Sequence, residues 1–194
     1  MQPIDLLKES SALLEGHFLL SSGRHSDKYF QCAKLFQYPA KAKAAFEPVV
    51  AKLKEDIACG KLKVDLIVGP AMGGIIAAYE IARQLELPAI FTERDENGVM
   101  VLRRGFEIKE GDHILIVEDV VTTGKSSKEC AKALLGFGAI ISGLVCLVDR
   151  RSETEEISWP IYPACKVTAL NWDAEACELC KKGIPVVKPG SRKI

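Results

Sequence analysis

The chain has 194 residues, of which 26 are basic and 26 acidic. That length suits one domain, or a domain with a small appendage, able to bury roughly 70% of its unfolded surface. A balanced charge provides no global field towards nucleic acid or anionic lipid, so any phosphate affinity must be local. No apolar stretch reaches the roughly 18 residues of a membrane span, and Met1 to Ser11 carries acids without a cleavable apolar core. Neither a span nor a signal peptide is therefore expected, and the chain is expected in the cytoplasm.

Ile4 to Glu15 has apolar positions at Ile4, Leu7, Ala12 and Leu14 and predicts a helix that Gly16 ends. His17 to Gln31 is mixed, with short extended pieces around Gly23. Pro39 to Ala58 predicts a long amphipathic helix through Ala45, Val49, Leu53 and Ile57, with Pro48 a candidate kink. Strict alternation follows. Val64 to Gly69 predicts a strand, Gly74 to Leu85 a helix and Pro88 to Glu93 a strand. Next come a polar turn at Asn97-Gly98, the strongest short hairpin signal, an alternating strand and a second turn at Glu110-Gly111. His113 to Asp119 predicts a strand, Lys125 to Phe137 a helix ended by Gly136 and Gly138, Ala139 to Asp149 a strand, and Cys165 to Asn171 a last short one.

This order predicts an α/β fold: a mostly parallel central sheet flanked by helices, with a small N-terminal hood and a projecting β-hairpin. The chain is expected to be a single domain over 1–194, with hood and helices in 1–60, the α/β core in 61–172 and a tail in 173–194. Its last residues, KPGSRKI, are expected to be a mobile end. Ligands of such sheets bind outside the carboxyl ends of the strands. The segments after Gly69, Glu93, Asp119 and Asp149 should therefore converge on one site.

The most informative run is ILIVEDVVTTGKSS, Ile114 to Ser127. Its apolar, β-branched start fits a strand buried on both faces. Glu118 and Asp119 are expected at the solvent end of that strand, because unpaired charges inside a sheet cost several kcal/mol, roughly 3 to 5. Thr122, Thr123 and Gly124 offer backbone N–H groups and hydroxyls at the mouth of a helix beginning near Lys125, where the macrodipole favours an anion. Two acids beside a phosphate nest call for a ligand with both anionic oxygens and hydroxyl donors, as in ribose 5-phosphate. A Walker A loop would need glycine where Asp119 stands, so that reading fails. The competing ordinary reading is a plain βα corner with Thr123 as N-cap. GPAMGG, Gly69 to Gly74, repeats the corner after an earlier strand, and its glycines let backbone N–H groups approach an anion. Two phosphate sites flanking two carboxylates fit phosphoribosyl pyrophosphate.

Seven cysteines are scattered along the chain. Cys32, Cys59, Cys130 and Cys146 sit in apolar or helical contexts, where a thiol is a small buried hydrophobe, and suggest a reducing compartment. Cys177 and Cys180 form one CxxC, with Cys165 upstream and His17, His25 and His113 far away in sequence. Structural zinc usually needs four ligands, so plain thiols are expected ahead of a metal site or a redox pair, and no side chain is assigned to a metal.

The string of four apolar residues, two acids, two apolar residues and Thr-Thr-Gly resembles the ribose-phosphate signature of the type I phosphoribosyltransferases. GHFLLSSGRHSDKYFQ, Gly16 to Gln31, is similar to the hood of the orotate enzymes of that family, with Phe18, Leu20, Ser22, Gly23, Ser26, Tyr29 and Phe30 keeping the pattern. The resemblance covers about residues 15 to 172. It implies transfer of the 5-phosphoribosyl group from phosphoribosyl pyrophosphate to orotate in pyrimidine (UMP) biosynthesis. Glu118 and Asp119 would accept the ribose hydroxyls. Val120, Val121, Thr122, Thr123, Gly124, Lys125 and Ser126 would bind the 5′-phosphate. Ala71, Met72, Gly73 and Gly74 would meet the pyrophosphate, with Mg²⁺ neutralising it. Ser22, Arg24, Ser26, Tyr29 and Phe30 would form the base hood, and Arg150 would face the base carboxylate, which a planar guanidinium suits. A homodimer is implied, with a flexible hairpin holding Arg94, Arg103 and Arg104. The chain departs from the family pattern at three lysine positions: Ser21, Gly73, and the hairpin string Arg94-Asp95-Glu96-Asn97-Gly98. Arg94, Arg103, Arg104 or Lys28 must then substitute at the pyrophosphate. In these departures the chain is similar to a subgroup of bacterial orotate enzymes with an arginine-bearing hairpin and a CxxC-GIP-VKPG tail. Two rivals share part of the pattern, a purine or xanthine phosphoribosyltransferase and a non-catalytic nucleotide-sensing RNA-binding regulator of pyrimidine genes. The second should show a basic face, which a neutral chain does not suggest.

Overall fold

A computed structural model describes residues 1–20, 22–152 and 154–189. The Ser21 departure and the last five residues of the predicted mobile tail lie outside the described residues. Elements in chain order are α1 (Pro3–Glu9), β1 (Leu13–Leu19), β2 (His25–Phe30), α2 (Ala33–Phe36), α3 (Pro39–Ala58), β3 (Leu66–Pro70), α4 (Gly73–Leu85) and β4 (Ala89–Arg94). They continue with β5 (Met100–Leu102), β6 (His113–Val121), α5 (Lys125–Leu135), β7 (Ile140–Asp149), β8 (Ile161–Lys166), β9 (Asn171–Trp172), a 3₁₀ turn (Ala174–Ala176) and α6 (Glu178–Lys181).

The central sheet has strand order β5-β4-β3-β6-β7-β8. All pairs are parallel except β4–β5, the hairpin. Parallel strands need both faces covered, and the side chains of β6 show the two covers directly. Leu115 and Val117 enter a core shared with α1, α2, α3 and α4, whereas Ile114 and Ile116 enter a second core shared with α5. Because side chains alternate along a strand, Glu118 continues the α5 face and Asp119 the α4 face.

Three sequence expectations change. The first helix ends at Glu9: the Ser10 hydroxyl returns to the Leu6 carbonyl, Ser11 takes φ 53°, and the chain enters β1 instead of continuing to Glu15. β1 pairs antiparallel with β2, burying Leu13 and Phe18, so burial across a hairpin overrides the helical spacing. The last sheet strand is Ile161–Lys166 rather than Cys165–Asn171. Pro163 is tolerated because β8 is an edge, and β9 leaves the central sheet to pair with β2. The long helix α3 spans Pro39–Ala58 as predicted, with Pro48 inside it. Finally, β6 does not turn at Asp119 but stays paired to Val121, so Glu118 lies inside the sheet, 6% exposed, instead of at a solvent end.

The small sheet β1-β2-β9 forms the hood. The chain beyond α6 returns to it, with Val187 accepting from Leu19 N (2.9 Å) and donating to His17 O (2.8 Å). Among the described residues no helix is long and apolar enough to cross a membrane.

Candidate active site

At the carboxyl ends of β3 and β6 lies a cavity of about 240 Å³ lined by Pro70, Ala71, Gly73, Glu118, Asp119 and the run Val120 to Ser127. Its floor is made by close backbone approach. A Cβ on Gly69 would meet the Gly74 carbonyl oxygen at 2.3 Å, and one on Gly74 would meet that of Val117 at 2.7 Å. The turn between β3 and α4 therefore requires glycine at both positions. A Cβ on Gly73 would sit 2.5 Å from Asp119 Oδ2. At the position where the family pattern carries lysine, a side chain would thus have to displace the Asp119 carboxylate.

The two acids reach the cavity from opposite faces of β6. Glu118 accepts a long hydrogen bond from Ser127 Oγ on α5 (3.5 Å), and Asp119 Oδ1 accepts from the Val120 N–H (2.8 Å). Burial, with the neighbouring Asp119 charge second, pushes the Glu118 carboxyl well above the usual carboxylate range. Burial likewise raises Asp119 against its backbone hydrogen bonds. Both acids therefore gain from a ligand that donates hydrogen bonds or carries positive charge.

Above them α5 starts at Gly124, in the left-handed region (φ 69°), where a Cβ would also strike Ile157 at 2.7 Å. Thr123 Oγ1 accepts from Lys125 N (3.3 Å), and the first intrahelical bond is Lys128 N to Gly124 O (2.8 Å). The Ser126 and Ser127 N–H groups consequently have no acceptor within the helix and sit at its positive end. The Lys125 side chain points outward, 4.0 Å from Glu129.

Beside the end of β7, the hood packs against Arg150. Arg150, directly after β7, is fixed by its N–H to the Val121 carbonyl (2.8 Å), and its guanidinium lies 5.0 Å over the Phe30 ring. Its Nε is buried with no hydrogen-bond partner among the described residues. Burial lowers the Arg150 pKa from its ordinary value, with Asp27 acting the other way. Its neighbour Arg151 is instead committed to Asp149 by two bonds (3.0 and 2.9 Å). An orphaned buried guanidinium N–H invites a planar anion.

The remaining predicted residues lie elsewhere. Met72 is exposed and Gly74 is packed under β6. Ser22 is exposed, Arg24 reaches the Asn171 carbonyl (3.3 Å) and Asp173 (3.4 Å), and Tyr29 donates to Gln31 (2.8 Å). Ser26 is fully buried, donating to the Leu170 carbonyl (3.0 Å). The hairpin arginines are paired within the chain: Arg94 with Glu129 and the Gly98 carbonyl, Arg103 (3.7 Å) and Arg104 (2.9 Å) with Glu93. Arg103 and Arg104 follow β5 in a turn, so both reach one acid instead of facing apart as strand neighbours would. Lys28 pairs with Asp27 (2.7 Å). Sequence reasoning stopped one residue short at Ser127, although its place in the same run was visible. It also missed that His17 and His25 meet Cys177 and Cys180.

A profile of the phosphoribosyl transferase domain matches residues 41–178, and the chain belongs to the phosphoribosyltransferase family. Over 191 residues it is 44% identical to an orotate phosphoribosyltransferase of Caldanaerobacter subterraneus subsp. tengcongensis, covering 98% of this chain and 97% of that one. Among solved structures, an orotate phosphoribosyltransferase from Aeropyrum pernix superposes with a TM-score of 0.62 at 24% identity, over 95% of this chain and 90% of that one. Leishmania donovani UMP synthase gives 0.68 at 24% identity over 85% of this chain, which spans 36% of that longer protein. These two structures speak for the fold.

Proposed function

We propose that the chain is an orotate phosphoribosyltransferase, transferring the 5-phosphoribosyl group of phosphoribosyl pyrophosphate to orotate to give orotidine 5′-monophosphate and pyrophosphate in UMP biosynthesis. The C1′–oxygen bond to pyrophosphate breaks and a bond from C1′ to the base nitrogen forms, so positive charge develops on the ribose. The observation that carries the choice of base is Arg150, whose orphaned Nε and stacked guanidinium, beside the cavity strand, suit the orotate carboxylate. The near full-length likeness to an orotate phosphoribosyltransferase supports the same reading.

The α5 mouth, Val120 to Ser126, holds the 5′-phosphate on free N–H groups at the helix start. Glu118 and Asp119 accept the ribose hydroxyls, which relieves both buried carboxylates. Of the turn after β3, Ala71 and Gly73 line the cavity and face the leaving pyrophosphate. Positioning and charge stabilisation in a closed cavity then do most of the catalysis. The donor set also fits a hard cation shared with pyrophosphate. Mg²⁺ is typically held by one or two carboxylates together with phosphate oxygens, and Glu118 and Asp119 line the cavity. When bound it would offset the pyrophosphate charge.

The hairpin arginines exchange their acids for pyrophosphate when the loop closes and excludes water. A cytoplasmic homodimer without nucleic-acid or membrane partners completes the reading. Exposed Met72, Ile76 and Tyr79, one face of the first turns of α4, support a second copy as the cover. Supplying the purified protein with phosphoribosyl pyrophosphate, Mg²⁺ and orotate, uracil, adenine, hypoxanthine or xanthine in turn tests it. Orotidine 5′-monophosphate is the expected product, and faster turnover of any purine would contradict the reading.

A further inference from the structure

Four side chains that the chemistry above does not use converge between the hood and the C-terminal segment: His17 on β1, His25 on β2, and Cys177 and Cys180 at the start of α6 and within it. One ligand atom from each lies within 4.8 Å of all the others. We propose that they hold a structural Zn²⁺ that clasps the C-terminal segment to the β1–β2 hairpin.

The distances fit one tetrahedral ion. With Zn–S near 2.3 Å and Zn–N near 2.05 Å, sulfur–nitrogen edges of the tetrahedron come to about 3.5 Å. The structure has Cys177 Sγ to His17 Nε2 at 3.3 Å, Cys180 Sγ to His25 Nδ1 at 3.4 Å and Cys180 Sγ to His17 Nε2 at 3.8 Å. The two ring nitrogens, His17 Nε2 and His25 Nδ1, stand 2.8 Å apart. They need to open by about 0.5 Å to share the ion.

His17 is already oriented as a ligand. Its Nδ1 lies 2.8 Å from the Ile184 carbonyl, which can only accept, so Nδ1 carries the proton and Nε2 turns its lone pair to the cluster. That backbone carbonyl is the usual outer partner of a metal-bound histidine.

Surroundings and ligand type choose the metal. Two imidazoles and two thiolates in a compact set favour Zn²⁺. The mixed contacts at 3.3 and 3.4 Å leave room for one ion and not for a two-iron cluster. Four protein ligands leave no open position, so the site is structural. His17, His25 and Cys177 are buried, whereas Cys180 is exposed and is the door for the ion. The clasp also explains why a segment with few apolar anchors returns to the hood. Without it, α6, which buries none of its own side chains, and the bridge at Val187 rest on short backbone pairing and the His17 contact with the Ile184 carbonyl.

Elemental analysis of the unmodified protein, purified under reducing conditions, should find about one zinc per chain. Cys177→Ser and His17→Asn should each lose the ion and lower Tm, while Cys59→Ser, exposed and remote, should keep both. Should Cys177→Ser fail to fold, growth of the unmodified protein on Co²⁺ decides, because tetrahedral thiolate-bound Co²⁺ absorbs strongly in the visible. Fewer than about 0.1 ions per chain with a Tm indifferent to chelator would overturn the proposal. So would a Cys177–Cys180 disulfide in the freshly purified chain, or equal zinc loss in Cys59→Ser. None of these measurements depends on which base the enzyme uses.

Discussion

The phosphate corner and the hood achieve order by opposite routes. The corner is contiguous: Glu118 to Ser127 supply acids, small residues and free N–H groups within one strand-to-helix turn. The hood is assembled from afar, with Phe30 under Arg150 and His17 against Cys177, which stand 160 positions apart. A corner made of backbone geometry depends on what may not be added, such as a Cβ at Gly69 or Gly74. A hood made of side-chain meetings depends on what may not be removed.

The sharpest way to break the corner is Asp119→Asn. If the carboxylate accepts a ribose hydroxyl, kcat/KM should fall on the order of 100-fold to 1,000-fold, about 3 to 4 kcal/mol, in steady-state assays. Gly73→Ala should come next, with a loss on the order of 10-fold to 100-fold, because the new methyl group displaces the Asp119 carboxylate while the fold is kept. An unchanged Tm in calorimetry together with that loss separates misplacement from unfolding.

Glu118→Gln tests the electrostatic side. A carboxyl whose folded pKa is raised binds its proton more tightly in the native state, so stability is greatest with the group protonated. It falls as pH rises from the ordinary value, 4.5, through the raised folded one. At neutral pH the neutral amide should therefore raise Tm by about 2 to 4 °C, for about 1 kcal/mol, even as activity drops. Below pH ~4 the gain should vanish. A lower Tm at neutral pH would mean that Glu118 is better paired than its 3.5 Å contact with Ser127 indicates. The smallest effect belongs to Lys125→Ala, within about two-fold in kcat/KM, since its side chain makes a long exposed pair with Glu129.

Local signals were legible. Ile114 to Ser127 announced strand, acids and helix mouth in order, and the β–α alternation announced the central sheet. What failed were features decided by distant partners. The helical spacing of Ile4 to Glu15 gave way to a hairpin because β2 offers Leu13 and Phe18 a buried face. Glu118 was expected outside the sheet because its cost was counted without the cavity that will receive a ligand. His17 and His25 carried no zinc spacing, since their cysteine partners lie at the other end of the chain, where spacing rules do not reach.

The central claim, that Arg150 selects a base by its carboxylate while the corner holds the ribose phosphate, is tested most directly by one comparison. Orotate and uracil differ by that carboxylate, so kcat/KM for both should be measured in the unmodified enzyme and in Arg150→Ala. The account predicts that the orotate-over-uracil preference collapses by about 30-fold to 1,000-fold, about 2 to 4 kcal/mol, while KM for phosphoribosyl pyrophosphate stays within about three-fold. An unchanged preference, or equal damage to both substrates, would contradict it.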